Sequence, residues 1–344
     1  MDRAALRPAL AHLAEAHDGL FTRTQALAAG YSEAEIRARL GSRTPDWRSV
    51  RRGVYVLSAR AEGASVPQWR WWGDLAAHLT MALPHALSHD SAARALEIPL
   101  LDLHAGLSHV TRTGVGGSRT QHGVKHHLGR ERPARILRVQ DVPVTGRART
   151  ALDLAREHGF SAGVVAMDHV LARGATMREF ELELARMTSW PYVKTSRAAL
   201  AFADPGAESV GESLTRVLLA ELGWGPLVTQ FPVPVAGGVR WCDLRVGRHL
   251  VEFDGAAKFR SVDDGGFAIV DPAQVAFLDR QRDTDVGQLG LGISHVSWRD
   301  LFSARREAKA RLRPEEAPTR GRYGSRLPDE LVRFAVEHRR SRAA

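Results

Sequence analysis

Helix-start signals recur at short intervals near the N-terminus, and they restrict that end of the chain to small, separately capped helices. Thr22 is followed by Gln25, and Ser32 by Glu35. In each pair the hydroxyl accepts one free backbone N–H of the first turn and the longer side chain accepts another. The spacing predicts a helix from Arg23 to Ala29 closed by Gly30, and a second from Glu33 to Leu40 closed by Gly41. Ahead of them, Leu6, Leu10 and Leu13 form one stripe of a helix over residues 4–17. Behind them, Trp47 to Leu57 alternates, is β-branched and turns at Gly53, which reads as a hairpin. Three short helices and a hairpin form the winged helix-turn-helix layout, in which the third helix enters the major groove and the wing lies along the backbone. Ile36 and Leu40 face inward, which leaves Arg37, Arg39 and Arg43, with Arg48, Arg51 and Arg52 of the wing, as the candidate DNA contacts. The alternative is a small helical or protein-binding domain with solvated arginines.

Charge bears on that choice. Lys and Arg number 48 against 39 Asp and Glu, a formal charge of +9. Such a surplus favours polyanions through counterion release. A compositional bias toward Ala, Arg and Gly produces the same total, so the position of the charge matters more than its sum. One cysteine, Cys242, excludes an internal disulfide framework and a multi-cysteine zinc site. No run approaches the roughly 18 apolar residues of a membrane span, and the N-terminal residues lack the apolar block of a signal peptide. The expectation is a cytoplasmic protein without a membrane partner.

The chain divides into a winged helix over residues 1–60, a mixed α/β middle domain over 61–200, a third domain over 201–310 and a basic extension over 311–344. Asp204-Pro205-Gly206 marks the second boundary. In the middle domain, helices are expected over 69–83, 88–96, 164–173 and 177–187, and strands over 107–113 and 124–127. Residues 144–154 turn a strand into a helix. His122, His126 and His127 read as surface histidines, because no Cys or carboxylate stands near them at ligand spacing. No catalytic constellation is expected there. The extension carries an amphipathic helix over 330–338, read as a peripheral element or tail.

The chemistry concentrates in residues 205–302. A helix from Ser209 to Leu222 precedes strands over 227–235, 239–246 and 249–254, then a helix over 272–289, a strand over 293–298 and a short helix from Asp300. Side chains alternate along strands, so Glu252 and Asp254 share one face and Asp243 lies opposite the core residues Cys242 and Leu244. Three gathered carboxylates repel one another unless a cation sits among them. Hard oxygen donors suit Mg²⁺ or Mn²⁺, and such an ion activates water for phosphodiester cleavage. Lys258 is placed to orient that water or to neutralise the scissile phosphate, and Glu212 is a fourth candidate from the preceding helix. Against this stand pairings of the carboxylates with Arg245, Arg248 or Arg260, and a capping role for Glu212 with Ser209.

The run VEFDGAAKF, with WCDL before it and VSWRDL after it, resembles the very-short-patch-repair-like branch of the PD-(D/E)xK nucleases. SVGESLTRVLL resembles the leading helix of that family, with its glutamate. On this resemblance Asp243 matches the first metal-binding aspartate and Glu252 the second acidic position. Asp254 falls where many members carry the catalytic lysine, and Lys258 stands four residues beyond it. Arg280, Arg282 and Asp283 fit the charged helix of relatives. The segments GLFTRTQALAAGYSEAEIRARL, WRSVRRGVYVL and VTGRARTALDLA resemble AbiEi-type antitoxins of type IV toxin–antitoxin systems. The implied fold class is multidomain α+β: a winged helix, an α/β middle domain and a restriction-endonuclease-like α/β domain. The implied functions are a Mg²⁺-dependent DNA endonuclease, a non-catalytic DNA-binding regulator, or an antitoxin that binds a cognate toxin.

Overall fold

A computed structural model describes residues 5–101, 106–129, 136–235, 238–255, 284 and 286–343. The fold is mixed α/β and multidomain, with three sheets among the described residues. The chain forms two compact units, residues 1–166 with 176–197, and residues 167–175 with 198–344. No helix among the described residues is long and apolar enough to cross a membrane.

The first unit begins with α1 (Pro8–Glu15), β1 (Phe21–Thr22), α2 (Arg23–Ala28), α3 (Glu33–Gly41), β2 (Trp47–Arg51) and β3 (Val54–Leu57). Both capping boxes form. Thr22 N donates to Gln25 Oε1 at 2.7 Å and Gln25 N to Thr22 Oγ1 at 3.1 Å. Ser32 N donates to Glu35 Oε2 at 2.7 Å and Glu35 N to Ser32 Oγ at 3.2 Å. The helix α3 runs through Gly41 and is capped by Ser42. The hairpin turns at Gly53, whose φ of 79° glycine adopts without a Cβ clash. The three strands pair in the order β1-β3-β2. Trp47 is the hub of the core beneath them: its ring meets Phe21 at 4.8 Å and Tyr31 at 5.1 Å, both edge-on, over buried Leu10 and Ile36.

The unit continues through α4 (Ser58–Glu62), α5 (Val66–Leu79), β4 (Ala86–Leu87), α6 (His89–Ala95), β5 (Ser108–Arg112), β6 (Ser118–Gln121), β7 (Val124–Leu128), β8 (Ile136–Val139) and β9 (Val142–Thr145). Then come α7 (Arg147–His158), α8 (Phe160–Ala172), α9 (Met177–Leu184) and α10 (Val193–Phe202), of which α8 and α10 run on into the second unit. The six strands run β6-β7-β5-β4-β9-β8, with β5/β7 and β4/β9 parallel. Asp74 of α5 is fully buried and accepts Arg94 Nε at 2.6 Å and Ser91 Oγ at 2.5 Å, which ties α5 to α6.

The second unit contains α11 (Val210–Glu221), β10 (Val228–Val235), β11 (Gly238–Val246), β12 (His249–Asp254) and β13 (Gly292–Ser297), followed by α12 (Trp298–Leu301), α13 (Arg305–Leu312), α14 (Glu316–Tyr323) and α15 (Asp329–Ala343). The sheet order is β10-β11-β12-β13; β12 and β13 are parallel and the other pairs antiparallel. The C-terminal helix is not a peripheral tail. Leu331 and Ala335 of α15 are buried with Phe231, Val233 and Leu250, and Arg339 Nη2 donates to Thr229 O at 2.7 Å. Its apolar stripe supplies part of the core, which outweighs the solubility of its arginines.

α11 approaches β12 closely because Gly211 has no side chain: a Cβ there would overlap the Phe253 ring. Gly211→Ala is therefore expected to destabilise by about 1–3 kcal/mol through overpacking, although Ala is the better helix former by about 1 kcal/mol. Chemical denaturation measures this, and a more stable variant would contradict the packing described.

Candidate functional site

Two clusters of titratable side chains, one in each unit, are candidates. In the second unit the ladder between β11 and β12 pairs Val246 with His249, Arg245 with Leu250 and Leu244 with Val251, and no further. Beyond that point a side chain replaces a backbone group, as Phe253 N donates to Asp243 Oδ2 at 2.7 Å. Simple alternation places Asp243 and Glu252 together only while the ladder continues. Instead Glu252 lies 3.4 Å from Arg240 Nη2 and interacts with the Cys242 thiol, whose pKa burial raises, with Glu252 adding to the effect. Asp254 meets His295 Nδ1 at 2.9 Å, across the parallel pair of β12 and β13. Each of the three carboxylates thus has a partner: Asp243 the Phe253 N–H, Glu252 the Arg240 guanidinium and Asp254 the His295 ring.

Glu212 and Asp243 do feel each other. Burial raises the Glu212 pKa and the Asp243 charge adds to it, while a hydrogen bond from Glu208 N at 2.8 Å opposes. Glu212 Oε2 also accepts Gln230 Nε2 at 3.2 Å. The carboxylate thus reaches past its own cap, Ser209, whose hydroxyl accepts Glu212 N at 3.1 Å. Lys258, Arg260, Arg280, Arg282 and Asp283, with most of the expected helix over 272–289, lie outside the described residues.

The six expected DNA contacts separate into two kinds. Arg37, Arg43, Arg48 and Arg52 are exposed. Arg39 is held inward, its guanidinium 5.3 Å from the Tyr31 ring centroid and 5.4 Å from that of Trp47, and 3.4 Å from Asp46. Arg51 donates to His122 O at 2.7 Å.

The second cluster arises where no constellation was expected. β5 and β7 pair in parallel with His109 opposite Lys125 and Thr111 opposite His127, so His109 and His127 share a face. His89 enters from the first residue of α6, with φ at 48°. The three rings are buried. His127 Nε2 lies 3.2 Å from His109 Nδ1, and the His89 and His127 rings stack at 3.6 Å. Burial depresses all three pKa values, that of His127 to about 3. His127 and the buried His126 are therefore not surface histidines, while His122 is exposed in the β6–β7 turn.

Two fully buried carboxylates flank the rings. Asp153 Oδ1 is 3.8 Å from His89 Nε2, and Asp153 also accepts Arg149 Nε at 2.7 Å and Arg156 Nη1 at 2.8 Å. Asp90 Oδ1 accepts His158 Nε2 at 2.6 Å, while Asp90 Oδ2 lies 4.0 Å from His109 Nε2 and has no hydrogen-bond partner among the described residues. Burial acts to raise the Asp90 pKa, but the His158 hydrogen bond and the charges of His109, His158 and Arg94 hold it below the usual value. His127 lines a cavity of about 790 Å³ together with Ser118, Arg149, Arg156, Arg186 and Trp190. Arg149 and Arg156 lie over the Trp190 ring at 4.5 and 4.8 Å.

No known protein-family model and no curated protein matches the chain.

Asp153 compensates the buried guanidinium of Arg149 and the half-buried one of Arg156. Asp153→Ala is expected to cost about 3–5 kcal/mol, the range for removing one partner of a buried pair. Asp153→Asn, which keeps two hydrogen-bond acceptor positions on one oxygen, is expected to cost less. Equal stability of wild type and Asp153→Ala in urea unfolding would contradict this reading.

Proposed function

We propose that the protein is a DNA-binding regulator. The residues over 8–57 act as a winged helix, and the second unit is a nuclease-type fold retained for binding rather than cleavage. One observation carries the DNA reading: Arg37 on α3, Arg43 just after it, and Arg48 and Arg52 on the β2–β3 hairpin stay exposed while the neighbouring apolar residues are buried. With α3 in the major groove and the hairpin along the backbone, these four cations face phosphates. Arg39 and Arg51 serve the fold. The antitoxin resemblance implies a cognate toxin as the protein partner.

The non-catalytic reading of the second unit is supported by the pairing of Glu252 with Arg240 and of Asp254 with His295. A carboxylate engaged by a guanidinium or by a ring N–H is a weaker ligand for Mg²⁺. The second reading, Mg²⁺- or Mn²⁺-dependent cleavage, is favoured by the mutual field of Glu212 and Asp243, since like charges held close invite a cation.

Binding of the full chain to DNA from upstream of its own gene, read by fluorescence anisotropy across a salt series, tests the proposal. Arg37→Ala and Arg52→Ala are each expected to weaken binding and to lower the salt slope by about 1. Arg39→Ala is expected to lower the unfolding temperature instead. A slope unchanged in both exposed-arginine variants would count against the winged-helix interface. Supercoiled plasmid is expected to stay intact with Mg²⁺ or Mn²⁺, and cleavage abolished by Asp243→Ala would establish the hydrolytic reading in its place.

A further inference from the structure

We propose that His89, His109 and His127 form a binding site for one divalent transition-metal ion, with Zn²⁺ the closest match. One ring nitrogen from each histidine lies within 4.8 Å of the other two. The His127 Nε2 to His109 Nδ1 separation of 3.2 Å is near the ~3.4 Å expected of two nitrogens bound at about 2.1 Å in tetrahedral zinc geometry. Imidazole nitrogens suit Zn²⁺ over Mg²⁺ or Ca²⁺, which select oxygen.

Two buried carboxylates stand 3.8 and 4.0 Å from the rings. A ligating histidine usually directs its other ring nitrogen to a carboxylate, which fixes its orientation and raises its basicity. If His109 ligates through Nδ1, its Nε2 faces Asp90 Oδ2, the buried oxygen without a hydrogen-bond partner among the described residues. Asp153 lies 3.8 Å from His89 Nε2, and His89 Nδ1, the nitrogen left to ligate, is 3.0 Å from Ser88 Oγ, which must give way to the ion. Asp153 is matched by Arg149 and Arg156, so Asp90 is the carboxylate that balances the ion. The positive φ of His89 is a further sign, because non-glycine residues hold such backbone angles at a cost, often at functional sites. It sets that ring against the other two. Three protein ligands leave a fourth position for water or an anion, as in catalytic zinc sites. His127 is the ligand that lines the cavity, and an ion enters past it. Ligation requires the His89 and His127 planes, now 15° apart, to splay.

The test is titration of the full chain, freed of metal by chelator, with Co²⁺ followed by displacement with Zn²⁺. The expected result is one Co²⁺ per chain, with the visible absorption of a low-coordinate nitrogen site that Zn²⁺ removes. His109→Ala and His127→Ala are expected to abolish the band, and His122→Ala to leave it unchanged. Asp90→Asn, acting on ligand orientation, is expected to weaken binding by about 10–100-fold while far-UV circular dichroism stays that of the wild type. Should either alanine variant fail to fold, His127→Gln at the cavity wall provides the same readout. No saturable binding by the wild type, or binding equally strong without His109 or His127, would overturn the proposal.

Discussion

Three aspartates of the first unit, Asp74, Asp90 and Asp153, have no solvent exposure, and the arrangement of α5, α6, α7 and β5 follows from satisfying them. A carboxylate out of water costs several kcal/mol unless cations and donors surround it. Asp74 draws in Ser91 and Arg94, and Ser91 Oγ accepts His109 N at 2.7 Å, which ties the same group to β5. Asp90 reaches the end of α7 through His158, and Asp153 on α7 holds Arg149 and Arg156. With its first turn bound on both sides, α6 has no freedom to relax the backbone at His89. The histidine cluster is thus a consequence of how the charges are compensated, and its rings sit where the aspartates can act on them.

What the sequence made legible is what depends on near neighbours. The capped helices α2 and α3, the hairpin at Gly53 and the meander of β10 to β12 rest on signals a few residues apart. The helix and three strands over 210–254 and the strand and short helix over 292–301 were readable for the same reason, while the expected helix over 272–289 lies largely outside the described residues. What stayed hidden depends on pairing. β6, the polar run Ser118–Gln121, is fully exposed and gains its extended form from β7. His89, His109 and His127 carry no spacing signal, because a parallel pairing and a helix start bring them together. Arg39 looks like Arg37 in sequence; only the Trp47 and Tyr31 rings distinguish it.

The carboxylates of the second unit give the converse lesson. Alternation correctly assigned strands, and Leu244 and Val251 are buried as expected. The ladder stops where Asp243 takes the N–H of Phe253. Beyond it Glu252 lies beside Arg240 and Asp254 beside His295. Burial raises the Glu212 pKa and the Asp243 charge adds to it, one residue on the helix and one on the sheet, and Gly211 allows that helix to lie against Phe253.

In the proposed function, recognition rests on four exposed arginines, apart from the buried histidines and aspartates, and α3 enters the major groove. The most direct measurement places a photoreactive residue at Ala38, exposed beside Arg37, and irradiates the full chain bound to DNA. Cross-links from position 38 to bases, and none from the equivalent probe at Leu137 on β8, are the predicted result. A stable complex that yields no cross-link at position 38 would contradict the claim.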